Sequence, residues 1–365
     1  MSLTRIPYEN LKLLNKPFEE DFKKKFSSFL DSGWYVLGNE VAQFELEFGE
    51  YHKEKFVVGV ANGLDALILA LKCCNFKKGD EVIVPSNTYI ASILAILQSD
   101  LVPVFVEPNL ATYNLDPNKI EQAITNKTVA IMVVHLYGQC CEMDSIKTIA
   151  KSKNLKIIED CAQAHGATFK NQKAGTFGDF GCFSFYPTKN LGALGDAGAI
   201  VCKSEDDFKK LKQLRNYGSE KKYYNGIIGY NSRLDEVQAS FLRVKLPHLD
   251  EINSHKKKLA DLYNKNLSDR YIKPALRADY DNVYHIYNIR HPERDKLKNY
   301  LSENNIDTEI HYPLAPHKQK ALQNLNNLHY PISEEIHATT LSLPCSFAHA
   351  SSDITRVIDT INKFK

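Results

Sequence analysis

The chain has 365 residues, 43% of them hydrophobic and 25% charged, the balance of a soluble globular protein. With 46 basic against 44 acidic residues the net charge is +2, so neither a nucleic acid nor an acidic membrane is called for as a partner. The length exceeds one average domain and predicts a large core domain with a smaller one beside it.

From residue 81 onward, short apolar runs alternate with helical stretches. Residues 81–84 read as a strand, Ile90–Gln98 as a helix and Val102–Val106 as the next strand. Residues 129–134 and Lys156–Asp160 are further strands, with a helix near Met143–Lys153 between them. Continuous Val/Ile runs, without polar alternation, suit strands buried on both faces of a mostly parallel sheet. The order predicts a three-layer α/β domain over residues 1–250, with its ligand beyond the carboxyl ends of the strands. A long helical stretch at 234–267 is broken by Pro247. After it come an alternating strand at 283–289, a helix near 295–304 and a strand at 308–312. Period-two strands mixed with helices predict a smaller α+β domain over residues 251–365.

The eight cysteines include two adjacent pairs, Cys73-Cys74 and Cys140-Cys141, and no C-x-x-C spacing for zinc or redox work. No H-E-x-x-H pair, G-x-S-x-G elbow or strand-linked G-x-G-x-x-G appears, and no metal is expected. The start of the chain has no apolar signal core, and no run approaches the ~18 residues of a membrane span. A cytoplasmic location with reduced thiols is expected.

One lysine stands out, Lys189 in the run FSFYPTKNLGALGDAG at residues 183–198. Set among Phe183, Phe185, Tyr186 and Pro187, its ammonium is expected to be partly desolvated, which favours the neutral amine that covalent catalysis by lysine requires. Taken alone, it also reads as a surface lysine in a Gly-rich loop. Asp160 ends a predicted buried strand, where a carboxylate needs a cation, such as a protonated cofactor ring nitrogen, or else serves as a helix cap. Asn62, Gly63 and Leu64 open an apolar helix whose N-terminus suits a phosphate, although Asn62 standing alone reads more readily as a plain cap. Tyr89 follows a strand end and can stack on a flat ring or simply pack. The patch YNSRLDE at 230–236, with Asn231 in it, reads as a helix start.

Together these motifs resemble the DegT-type nucleotide-sugar aminotransferases, pyridoxal phosphate (PLP) enzymes of the aspartate-aminotransferase fold, fold type I. The likeness runs from the segment GWYVLG at 33–38 to His311-Tyr312-Pro313, with the motifs in family order. It implies an α/β large domain with a central, mostly parallel sheet and a small α+β C-terminal domain. By the same resemblance Lys189 is the Schiff-base lysine, Asp160 the pyridinium partner and Gln163 the residue that hydrogen-bonds the ring hydroxyl. Asn62, Gly63, Leu64 and Ser184 match the phosphate cradle, and Tyr89 takes the place of the stacking aromatic. The equivalent of Asn231 reaches the phosphate of the neighbouring subunit, which implies a homodimer with shared active sites. Tyr186, His311, Tyr312 and His317 are implied around the sugar, and Lys221, Lys222, Tyr223 and Tyr224 near the diphosphate.

The residues after the lysine, GALGDAG, depart from the TTGEGG wording of many C4-aminating members. They resemble instead the enzymes that make dTDP-3-amino-3,6-dideoxyhexoses. The implied reaction is transfer of the amino group of L-glutamate to a dTDP-3-keto-6-deoxyhexose, for a surface polysaccharide or other glycan. Amination at C4 of a dTDP- or UDP-linked 4-keto sugar is the alternative. A related group that removes the C3 hydroxyl has histidine at the lysine position, and Lys189 argues against it. Non-catalytic regulators of this fold usually carry a DNA-binding module, and no basic helix-turn-helix pattern flanks the domain here.

Overall fold

The computed structural model describes residues 4–365. Its centre is a seven-stranded sheet made of β1 (Phe56–Val60), β2 (Glu81–Pro85), β3 (Val102–Val106), β4 (Thr128–Val134), β5 (Lys156–Asp160), β6 (Phe180–Ser184) and β7 (Gly198–Cys202). The spatial order is β1-β7-β6-β5-β4-β2-β3. β7 runs antiparallel to both of its neighbours, and all other neighbouring pairs are parallel. The sheet therefore has the mostly parallel character expected from the Val/Ile runs.

Those runs are buried on both faces for a visible reason. Ile83, Ile131 and Val133 enter one core with Phe44, Phe48 and Phe183, while Val82, Val84, Ala130 and Met132 enter another with Leu69 and Ile200. Successive residues of these runs thus alternate between two apolar layers. The strands β1, β6 and β7 carry glycine within five residues (FVVGV, FGCFS, GAIVC), and the sequence reading assigned none of them. Glycine weakens the strand signal, but Gly59 is needed here: a Cβ on it would meet Leu234 Cδ2 at 2.8 Å.

Four helices set up the site: α1 (Gly63–Cys73), α2 (Ile90–Gln98), α3 (Glu236–Lys245) and α4 (Leu249–Asn266). The break expected at Pro247 is the tight turn Leu246–His248 between α3 and α4, where proline has no N–H to continue the ladder. Glu236, at the start of α3, caps a helix far away in sequence. Its carboxylate accepts the N–H groups of Gly38, Glu40 and Val41 at 2.7–3.0 Å, where the helix Asn39–His52 begins. A carboxylate there also faces the positive end of the helix dipole.

A further core gathers Leu259, Tyr263, Tyr287, Leu297, Leu341, Ile354 and Val357, and Ile6 joins it from the other end of the chain. Ile6 makes a parallel bridge with Ile306. In this region two strand expectations need correction. Of residues 283–289, only the end belongs to a strand, β8 (Tyr287–Arg290), which pairs antiparallel with β9 (Thr340–Leu343). The earlier part is drawn to the large sheet's loops, with the Val283 N–H on the Gly138 carbonyl at 2.9 Å. Residues 308–312 form no strand beyond a single bridge from Glu309 to Ser342 on the other edge of β9. Pro313 and Pro344 stop the pairing on either side, since neither can donate to a ladder.

Candidate active site

Lys189 lies in the turn between β6 and β7, and the turn is pinned on several sides. Its own N–H reaches the Tyr186 carbonyl at 2.8 Å, and the Ala193 N–H returns to the Phe185 carbonyl at 2.8 Å. Asn190 Nδ2 donates to Asn253 Oδ1 (2.7 Å) on α4 and to the Val283 carbonyl (2.9 Å). Lys245, buried at the end of α3, donates to the Gly192 carbonyl at 2.9 Å. The turn closes so tightly that a Cβ on Gly192 would meet the Pro187 oxygen at 2.4 Å. The glycine at this position is therefore the condition for a tightly closed loop.

Burial lowers the Lys189 amine to about 8, against the upward pull of Asp160. Three imidazoles sit close enough to feel its charge, and burial is the leading cause that pushes each of them down: His165 to about 3, His311 to about 4 and His285 well below its ordinary value. At neutral pH these rings are uncharged. His165 and His285 were not singled out from the sequence, because a histidine in an apolar run gives no hint of which cation it will face.

Asp160 ends β5 and is buried. Burial pushes its carboxyl up, and hydrogen bonds from Ser92 and Ala162 together with the charge of Lys189 pull it back. Ser92 Oγ donates to Oδ2 at 2.8 Å, and the Ala162 N–H donates to Oδ1 at 3.1 Å. Ser92 spends its one proton on Asp160, so Thr88 Oγ1, 2.8 Å away, is the donor to Ser92. This relay from α2 was not read from the sequence. A serine on the buried face of an apolar helix is the signal that could have found it.

Gln163 is buried, with Oε1 accepting the Tyr137 N–H at 2.7 Å and Nε2 donating to the Tyr312 hydroxyl at 3.0 Å. The Tyr312 ring lies 4.9 Å from that of Tyr89, which caps α2 and is half-exposed. The Tyr137 hydroxyl donates to the His311 carbonyl. Gln163, Tyr89, His311 and Tyr312 are thus one contiguous group, although 222 positions (89 to 311) separate two of its members.

At the head of α1, Asn62 Oδ1 accepts the Asp65 N–H at 2.9 Å, so the plain cap reading of Asn62 holds. The first-turn N–H groups of Gly63 and Leu64 have no intrahelical acceptor. Gly63 abuts the end of β6: a Cβ there would meet Ser184 Cβ at 2.5 Å. The helix N-terminus and the Ser184 hydroxyl thus form a cradle suited to an anion.

Other expected residues lie elsewhere on the chain. Lys221 and Tyr224 stand on an exposed hairpin with Lys222 and Tyr223, where Lys221 Nζ lies 5.7 Å from the Tyr224 ring centroid. Asn231 is exposed and forms a bridge with Asn216. Tyr186 is half-exposed beside Lys189. His317 is fully buried, with Nε2 2.9 Å from Glu334 and its ring against Phe105 and Tyr330. No contact of His317 among the described residues joins it to the Lys189 group. Nor is the buried cluster His135, Glu159 and Cys161 an open ligand set. The Glu159 oxygens take the N–H groups of Gly175, Phe177 and Gly178 and pair with His135, whose Nδ1 takes the Cys141 N–H.

An amine with a lowered pKa within reach of a buried carboxylate's charge, an anion cradle at a helix N-terminus and a half-exposed aromatic ring are what a phosphorylated, cationic flat ring requires. The chain belongs to the DegT/DnrJ/EryC1/StrS aminotransferase family, whose model matches residues 17–362. It is an aminotransferase, and its cofactor is pyridoxal phosphate. It is 49% identical over 360 residues (98% of this chain, 99% of the relative) to dTDP-3-amino-3,6-dideoxy-alpha-D-galactopyranose transaminase of Aneurinibacillus thermoaerophilus. To dTDP-3-amino-3,4,6-trideoxy-alpha-D-glucose transaminase of Streptomyces venezuelae it is 40% identical, covering 99% of this chain and 96% of the relative. The solved structure of DesV from S. venezuelae superposes with a TM-score of 0.97 at 40% identity, covering 99% and 98% of the two chains. That of NtdA from Bacillus subtilis, with bound cofactor PMP, superposes at 0.93 and 31%, covering 99% of this chain and 85% of the other.

Proposed function

We propose that this aminotransferase moves the amino group of L-glutamate to C3 of a dTDP-3-keto-6-deoxyhexose, as a cytoplasmic homodimer supplying an amino sugar to a surface polysaccharide or other glycan. The observation that carries it is the Lys189–Asp160 pair set against the Gly63–Ser184 cradle, in a chain 49% identical to a transaminase of a dTDP-3-amino-3,6-dideoxyhexose. The galacto sugar is the first candidate on the strength of that relative. All eight cysteines are free, and no described helix is long and apolar enough to cross a membrane. We also place the boundary between cofactor-binding and smaller units near residue 250, between the sheet's own cores and the core built around Tyr263 and Tyr287.

When bound, the cofactor supplies a cationic conjugated ring that takes up the electron pair left when the donor's α-proton departs. Lys189 Nζ would hold the cofactor's aldehyde carbon until the donor amine displaces it. With a pKa of about 8 the freed amine can accept that α-proton near neutral pH and give it back two atoms further along, at the carbon beyond the nitrogen. Asp160, its oxygens fixed by Ser92 and Ala162, would keep a proton on the ring nitrogen. The N–H groups of Gly63 and Leu64 with Ser184 Oγ would take the phosphate. Tyr89 would cover one ring face, and Gln163 would meet the ring hydroxyl. Asn231, being exposed, is free to reach the partner's cofactor. Tyr186, His311 and Tyr312 would line the sugar, and Lys221 and Tyr224 the diphosphate. His317 is left out of this set because Glu334 already occupies its Nε2.

The test is to incubate the holoenzyme with L-glutamate and a panel of 3-keto and 4-keto nucleotide sugars, and to determine the products by mass analysis and NMR. Amino sugar formed at C3 from a dTDP-linked substrate is expected. An amino group at C4, or no product from any 3-keto sugar, overturns the proposal.

A further inference from the structure

Ser342, in β9, is fully buried and acts on His311 twice. Its backbone exchanges two hydrogen bonds with Glu309 (2.7 and 3.2 Å), which fixes the chain two residues before the histidine. Its Oγ lies 2.8 Å from His311 Nδ1. From another side the Tyr8 ring stands 5.7 Å from the imidazole, tilted by 36°. Tyr8 is delivered there by an N-terminal segment that is itself tied down. Ile6 bridges to Ile306, Arg5 pairs with Asp307, and His349 Nε2 meets the Pro7 carbonyl at 2.9 Å. Tyr312 packs edge-on against the same imidazole, with ring centroids 5.4 Å apart.

With Nδ1 engaged, Nε2 is the nitrogen left over. His165 and His285 have unpartnered nitrogens sealed in the interior, but His311 Nε2 is not among those buried atoms. It has no partner among the described residues and stays reachable by a ligand. An imidazole held at one nitrogen and gripped on its faces presents the other nitrogen in a fixed direction.

We propose that Ser342 and Tyr8 are positioning residues that aim His311 Nε2 at the sugar. This rests on the reading that His311 lines the sugar pocket, and it extends that pocket to two residues from opposite ends of the chain. A misaimed imidazole loses its hydrogen bond to the sugar without disturbing the cofactor, which is held by other elements.

Both half-reactions bleach the visible absorbance of the lysine-bound cofactor, so the holoenzyme reports on each. One run uses L-glutamate, the other dTDP-3-amino-3,6-dideoxy-α-D-galactose as amino donor in the reverse direction. Ser342→Ala should slow bleaching by the amino sugar about tenfold, the worth of one well-placed hydrogen bond, and leave bleaching by glutamate within about twofold. Tyr8→Leu should show the same preference with a smaller loss. In the His311→Ala background, Ser342→Ala should cost nothing more, because the group it aims is gone. Equal losses in both half-reactions, or full additivity with His311→Ala, would show a merely structural role and overturn the inference. If His311→Ala itself leaves the amino-sugar reaction intact, the sugar-pocket reading fails and this inference falls with it.

Discussion

Replacing Lys189 by methionine removes a charge that the fold holds at a cost. The amine falls from 10.5 to about 8 on folding because burial outweighs the attraction of Asp160. A drop of that size corresponds to about 3 kcal/mol of lost stability wherever folded and unfolded chains both carry the proton, which means below pH 8. Between pH 8 and 10.5 the folded amine is deprotonated while the unfolded one is not, so stability rises with pH and the penalty fades. Above 10.5 it is gone. Methionine keeps most of the stem's apolar length, but the exchange deprives Asp160 of a cation that pulls its own pKa down. The expected net gain for the cofactor-free Lys189→Met protein at pH 7 is therefore about 1–3 kcal/mol over the cofactor-free parent. Urea unfolding of both proteins at pH 7 and near pH 10 measures it. A variant no more stable than the parent at pH 7, or a gap that does not narrow on raising the pH, refutes the claim that desolvation sets this pKa. The same variant should lack the visible absorbance and all turnover, a case of stability given up for function.

Other expectations follow from the same geometry. Only the neutral amine can attack the cofactor's aldehyde, so reconstitution of the cofactor-free protein should speed up with pH and level off above about 8, as stopped-flow absorbance would record. Asp160→Asn keeps the shape but not the charge, and kcat should fall on the order of 100-fold, the worth of a charged hydrogen bond, while the cofactor stays bound. Gly63→Ala places a Cβ 2.5 Å from Ser184 Cβ and must push α1 away from β6. Cofactor titration should then show affinity weakened about tenfold or more, in line with overpacking costs of about 1–3 kcal/mol. For the shared site, mixing inactive Lys189→Met and Asn231→Ala homodimers should restore turnover, because one site of each hybrid is intact. No recovery after subunit exchange would place Lys189 and Asn231 of one subunit in the same site and refute the sharing.

The sequence by itself determined the parts of this protein whose chemistry is local. The Val/Ile runs named four strands of the sheet, since a strand buried on both faces favours apolar residues on both. Lys189, Asp160 and the Asn62-Gly63 turn were legible because each breaks a local expectation: a lysine among aromatics, a carboxylate at a buried strand end, a glycine opening a helix. Tertiary structure alone decided who faces whom. Ser92 and Thr88 stand behind Asp160, three neutral imidazoles lie within reach of the Lys189 charge, and Ser342 and Tyr8 flank His311. None of these pairings has a sequence period, because each joins elements brought together by packing. The failure at 283–289 and 308–312 has the same cause: alternation was present, but the loops of the larger sheet and the flanking prolines claimed the backbone. Local patterns fix what a segment can become, and the competition among segments for hydrogen bonds and buried surface fixes its neighbours.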